Sequence, residues 1–165
     1  MNDLIFQYFF SLSSSYYIAK LSLLFSYELT YLVCFLGFAF LIYKSFMKGR
    51  VFVVYTSTII FSWFLAFVLK LIFQIERPFI ELSLTPLFYE TGYSFPSEHM
   101  AFLSAFSLVF YKINRKIGIV LFVFTLLVGI SRMVIGVHYT LDVAAGWVLG
   151  VLTVFAVLKF FKIYK

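Results

Sequence analysis

Charged residues make up only 12% of this 165-residue chain, about half the share of ordinary soluble domains. A soluble domain of this length has too little interior to hide the 64% of residues that are hydrophobic, so lipid must cover much of the surface. Cysteine occurs once, as Cys34 inside an apolar run. That excludes an intramolecular disulfide and fits a packing thiol. Histidine occurs only as His99 and His138, too few with one cysteine to build a zinc-ligand cluster. The eight glycines form no glycine-rich loop of the nucleotide-binding kind. No metal or other cofactor is expected. Low-complexity tracts, fixed-period repeats and linkers are also missing, and the first residues lack the basic segment and cleavage site of a secretory signal. A single membrane-embedded domain over 1–165 is the expectation.

Long apolar runs fill what remains. A helical span needs about 20 apolar residues, and candidates are 27–46, 51–75, 98–112, 117–134 and 140–161. The run 98–112 is short, but Ala101, Ser104 and Ala105 suit close helix packing. Segment 4–25 is apolar but interrupted by Ser11 and Ser13 to Ser15; it reads either as a first span or as a helix lying in the interface. The expected fold is an all-α integral membrane bundle of five to six transmembrane helices.

The net charge of +6 could suggest a nucleic-acid partner, but the basic residues sit in short clusters between apolar runs. Lys44, Lys48 and Arg50, then Lys112, Arg115 and Lys116, then Lys159, Lys162 and Lys165 all fall at one face if the spans alternate. The positive-inside rule makes that face cytoplasmic. Glu28, Glu76, Glu81, Glu90, Glu98 and Asp142 fall at the opposite face, joined by Asp3 if 4–25 does not cross. The 24 Phe and 12 Tyr are then lipid-facing surface and interface belts rather than base-stacking platforms.

Topology leaves Lys20, Lys70, Arg77 and Arg132 unexplained, and the last three stand near candidate chemistry. Lys70 lies inside a span, where an unpaired charge costs about 2.5–3.5 kcal/mol on insertion scales. Arg77 follows two helical turns later on the same face, roughly 10 Å along the axis, and Pro78 should end the span there. Taken alone, Lys70 could snorkel to the interface and Arg77 could be a flanking anchor. Next comes Pro96-Ser97-Glu98-His99, read as a loop entering a helix N-terminus, where unpaired N–H groups favour anions. Ser97 adds a hydroxyl and His99 a titratable ring; the plainer alternative is a capping serine beside an interfacial histidine. The third group is Ser131-Arg132, then His138, then Asp142. The spacing of four sets His138 and Asp142 on one face if that stretch is helical, so a carboxylate can fix one imidazole nitrogen and leave the other to attack. Arg132 supplies a planar fork suited to phosphate oxygens, unless it merely forms a buried salt bridge with Asp142. Cations, a nucleophile and an acid gathered at one face are what phosphoryl transfer needs.

Lys70-x6-Arg77-Pro78, Pro96-Ser97-x-His99 and Ser131-Arg132-x5-His138-x3-Asp142 resemble, in order and spacing, the three signature motifs of the type 2 phosphatidic acid phosphatase family. The motif region covers 70–142. The resemblance implies a six-helix membrane bundle and a metal-independent hydrolase. By that resemblance His138 becomes a phosphohistidine oriented by Asp142, and His99 protonates the departing oxygen and then helps activate water. Lys70, Arg77, Ser97 and Arg132 hold the phosphoryl oxygens. Glu98 stands where the family usually has glycine, and Glu98 and Ser131 are kept as modulating positions.

An acidic residue at that place, together with Arg77-Pro78-Phe79, Ser94-Phe95-Pro96-Ser97 and Lys116-Ile117-Gly118, looks similar to the bacterial undecaprenyl-diphosphate phosphatase branch. The expected substrate is therefore undecaprenyl diphosphate, met in the bilayer of a bacterial plasma membrane at the outer face, with no nucleic-acid partner and no obligate protein partner. A lipid A 1-phosphatase and a phosphatidylglycerophosphate phosphatase are the alternatives within the family. A transporter or channel subunit whose charges line an ion path, or an inactive lipid-binding relative, is the alternative of another class. The vanadium-dependent haloperoxidases share the phosphate-site pattern, but they resemble soluble proteins and this composition argues against that activity.

Overall fold

The computed structural model describes residues 2–163. The side chains of Asp3 and Lys48, and all of Lys165, lie outside the described residues. The helices are α1 (Asn2–Ser11), α2 (Tyr16–Leu23), α3 (Leu29–Lys48), α4 (Arg50–Phe73), α5 (Pro78–Glu81), α6 (Glu98–Ile113), α7 (Arg115–Val134) and α8 (Thr140–Phe160), with no strand among the described residues. The protein is a multi-pass helical membrane bundle. Four stretches are long and apolar enough to cross a bilayer: Tyr16–Phe46, Arg50–Glu81, Arg115–Val134 and Thr140–Phe160. The shorter α6 runs between the same two ends in the middle of the bundle, packed on α4, α7 and α8.

Segment 4–25 is neither one span nor one interfacial helix. It breaks at Ser11–Ser15, and its second half joins the next span, because α2 continues through a π-helical turn (Leu24–Glu28) into α3. Serines compete for backbone hydrogen bonds, and Ser11 and Ser14 hydroxyls donate to the Tyr8 and Ser11 carbonyls at the break. α1, about 15 Å long, is too short to cross. It lies across the end of α7 and the start of α8, where Phe6 is fully buried against Met133 and Tyr139.

Sequence punctuation ends the spans. Gly49, at φ +60°, turns α3 into α4. The Asn114 side chain accepts from the N–H groups of Lys116 and Ile117 and caps α7. At the opposite end α4 stops at Phe73, four residues before Arg77, where Gln74 enters the left-handed region at φ 49°. Arg77 therefore does not extend the α4 face that carries Lys70. It is the extended residue just before Pro78, which occupies the first position of α5.

The α6–α8 contact places the chemistry. The buried stripe of α8 begins Asp142, Gly146, Gly150. A β-carbon at Gly146 would meet the Ser97 carbonyl at 2.3 Å, and one at Gly150 the Ser104 hydroxyl at 2.0 Å. Small residues four apart let two helices close to backbone contact in lipid, where apolar burial supplies no driving force between helices. Side-chain hydrogen bonds add to it. Ser62 donates to the Ala101 carbonyl, joining α4 to α6, and Ser107 and Thr125 pair at 2.9 Å, joining α6 to α7. Gly150→Val should therefore lower stability by about 1–3 kcal/mol or more through overpacking, whereas Ala144→Val on the exposed face of the same helix should leave the detergent melting temperature nearly unchanged. Equal melting temperatures for the two variants would contradict the close packing.

Candidate active site

The three motif segments meet at the end of the bundle opposite Gly49 and Asn114, around a cavity of ≈ 430 Å³ whose lining includes Lys70, Arg77, Glu90, Glu98, His99 and His138. His138 and Asp142 come together, but not on a helical face. α8 begins at Thr140, and His138 sits in the turn before it. Asp142, in the first turn of α8, folds its carboxylate back over that turn. Its Oδ2 accepts from the Tyr139 backbone N–H at 2.8 Å and lies 3.5 Å from His138 Nδ1. Ser94 donates to the same Oδ2 and lies 3.4 Å from His138 Nδ1. The imidazole's Nδ1 side is thus turned to a carboxylate and a hydroxyl, leaving Nε2 as the nitrogen for attack.

Burial, followed by the nearby Arg132, Arg77 and Lys70 charges, holds the His138 ring well below the ordinary histidine pKa of 6.5. That shift favours the neutral ring, the form in which an imidazole nitrogen can act as a nucleophile.

Ser97 is the N-cap of α6, as its position before an apolar run implies. Its hydroxyl is buried yet makes no hydrogen bond within the described residues, to its own helix or elsewhere. It stands beside the N-terminal N–H groups of α6, where the helix dipole favours an anion. Arg132, on the last turn of α7, is fully buried, with Nε and Nη1 likewise unpartnered among the described residues. It does not pair with Asp142. Its Nη2 donates to Glu90.

Arg77 is differently engaged. Its Nε donates to the Gly92 carbonyl at 3.1 Å, Nη1 to the Val137 carbonyl at 3.0 Å and Nη2 to the Thr91 carbonyl at 3.1 Å. Nη1 also pairs with Glu90 Oε2 at 2.9 Å. This fork clasps the loop 82–97 to the turn that carries His138. Lys70 reaches the cavity from α4 and pairs with Glu98 at 3.2 Å, while Glu98 also accepts from the Trp63 indole N–H. Glu98 thus balances a lysine and is tied to α4. Ser131 is turned from the cavity, its hydroxyl bonded to the Leu127 carbonyl one turn back.

Three side chains at the site have no place in the sequence argument: Glu90, Ser94 and Tyr27. Glu90 counted only as an acid on one face, and Ser94 only as part of a local resemblance. Tyr27 belongs to a span with no motif. Its hydroxyl donates to Glu90 Oε1 at 2.7 Å, and its ring lies under the Arg132 guanidinium and edge-on to His99. Burial pushes the Glu90 carboxyl up, but Arg132, Arg77 and the Tyr27 hydroxyl outweigh it and hold the group at about 2, against 4.5 ordinarily. No group of three or more His, Cys, Asp or Glu that could hold a metal occurs among the described residues.

Residues 50–164 match the PAP2 superfamily. The chain belongs to that superfamily. It is 34% identical over 95 residues to undecaprenyl-diphosphatase BcrC of Bacillus subtilis, covering 57% of this chain and 49% of that protein. It is 43% identical over 65 residues to the bacitracin transport permease protein BcrC of Bacillus licheniformis, covering 39% of this chain and 32% of that one. The chain thus spans a third to a half of the length of these curated relatives. The crystal structure of Aquifex aeolicus LpxE superposes with a TM-score of 0.65 at 26% identity, covering 95% of this chain and 85% of that one.

Two groups of this superfamily site should make the fold acid-labile. The unfolded chain takes up a proton on His138 below about 6.5 that the folded site refuses, so stability falls as pH drops below that value. Glu90, depressed in the folded state, contributes stability above 4.5 that is lost as pH falls toward about 2. The detergent melting temperature should decline from pH 7 to 5, and His138→Asn should lessen that decline. A wild-type melting temperature that rises across this interval would contradict the buried neutral ring.

Proposed function

We propose that the protein is a membrane lipid phosphatase that removes the terminal phosphate of a lipid diphosphate, with undecaprenyl diphosphate as substrate. The observation that carries this is the convergence of a carboxylate-oriented His138 with the unpartnered buried donors of Arg132 and Ser97. Nε2 of His138 attacks phosphorus, and the bond to the lipid-side oxygen breaks. His99, which lines the same cavity, delivers a proton to that oxygen, so the lipid leaves one phosphate shorter. Asp142 and Ser94 hold Nδ1 while charge develops on the ring. Water then attacks the phosphohistidine with His99 taking its proton, and cleavage of the P–N bond releases inorganic phosphate and restores His138.

The donors of Ser97, the α6 N-terminus and Arg132 stabilise the negative oxygens in both steps. Lys70, tied to Glu98 beside the cavity, adds positive potential there. The choice of lipid diphosphate is supported by the acid at position 98 and by the resemblance to the undecaprenyl-diphosphatase of Bacillus subtilis. A bacterial plasma membrane with the site outward is supported by the basic clusters at the other end.

Phosphate release by the detergent-purified protein, in chelator, against undecaprenyl diphosphate, phosphatidylglycerophosphate, lipid A and phosphatidic acid tests this. The diphosphate should be turned over fastest, and His138→Ala should abolish release. Arg132→Lys should lose about a hundredfold in kcat, the usual cost of a lost oxyanion donor, because an ammonium cannot reproduce the fork. Preference for phosphatidylglycerophosphate would overturn the substrate, and no release from any lipid would overturn the enzyme.

A further inference from the structure

Two arginines at the site share one carboxylate. Glu90 Oε2 takes Arg77 Nη1, and Oε1 takes both Arg132 Nη2 and the Tyr27 hydroxyl. A carboxylate between two arginines could be a stand-in for phosphate that substrate displaces. The surrounding bonds argue against displacement. The next two residues of the loop, Thr91 and Gly92, have their carbonyls bound by Arg77, whose third bond goes to Val137, next to His138. Moving Glu90 out would break that clasp and leave two buried guanidiniums unbalanced, an arrangement that strongly disfavours itself in a low-dielectric site. Every donor-bearing nitrogen of Arg77 is engaged, whereas Arg132 keeps Nε and Nη1.

We infer that Glu90, with Tyr27, is a positioning residue that pins Nη2 of Arg132 and so holds the guanidinium in one orientation, with its unpartnered Nε–H and Nη1–H groups left for the phosphoryl oxygens. This inference rests on the phosphatase proposal. Tyr27 lies outside residues 50–164, so part of this device comes from the span that precedes the superfamily match.

The test uses the full chain in detergent with two readouts, turnover of the lipid diphosphate and direct binding of orthovanadate as a phosphate mimic. Glu90→Gln keeps the shape and removes the charge. A freed Arg132 still attracts the anion but no longer holds it at His138. We expect kcat to fall about tenfold or more, the usual scale for outer-shell partners, while vanadate binds at least as tightly as to wild type. Tyr27→Phe should lower kcat in the same direction by a smaller factor, and Arg132→Gln should lose vanadate binding. An unchanged or raised kcat in Glu90→Gln would overturn the inference, as for a bystander or a displaced plug. A joint loss of kcat, vanadate binding and melting temperature would also overturn it, marking a purely structural role. Wild-type protein that binds vanadate but turns over no lipid would sink the phosphatase proposal instead. Vanadate binding then decides the inference alone: kept in Glu90→Gln and lost in Arg132→Gln supports it, and lost in Glu90→Gln overturns it.

Discussion

The Glu90 carboxylate joins four parts of the chain at one point: the π-helical turn through Tyr27, the segment after α4 through Arg77, the end of α7 through Arg132, and its own loop. In a membrane protein such a point governs the fold around it. Charge taken out of water must be answered locally, and an isolated cation near hydrocarbon is expensive. The site carries Lys70, Arg77 and Arg132 against Glu98, Glu90 and Asp142. Two of these acids are bonded directly to the cations, and the third faces the histidine. That balance lets three cations gather in a bundle with little charge elsewhere.

Packing supplies the complementary constraint. Glycine on α8 lets α6 come to backbone contact, and the Ser97 N–H donates to the Asp142 carbonyl across that junction. The N-terminus of α6, with its unpartnered serine, is thereby fixed beside the turn that carries His138. Polar ties deeper in the bundle run through Ser62, Ser107 and Thr125. The chemistry and the packing use the same small residues, so little of the α6–α8 seam is free to vary without touching the site.

Much of this was legible from residue order. Apolar runs of membrane length, clustered lysines and three spaced motifs pointed to the helical bundle, to its two ends, and to His138, Asp142, Ser97 and Arg132 at one place. Local punctuation was legible in part: Ser97 caps α6, whereas Pro78, expected to end the preceding span at Arg77, instead opens α5 after α4 has already stopped at Phe73. What misled was helical periodicity carried past a helix end. Lys70 and Arg77 were expected on one continuous face, and His138 with Asp142 on another. In the first case α4 ends between the two cations, which only line the same cavity; in the second α8 begins after His138, and Asp142 reaches it across the turn.

The sequence by itself determined the class of molecule, its crossing segments and the kinds of group available for phosphate chemistry, because hydrophobic length and charge placement act locally and leave a linear trace. Only the tertiary structure decided which carboxylate answers which cation. Glu90 is 42 residues from Arg132 and 63 from Tyr27, and no spacing rule links residues that far apart. Their contact depends on how α6, α7 and α8 pack and on where the loop 82–97 is clasped, and those are outcomes of the whole fold.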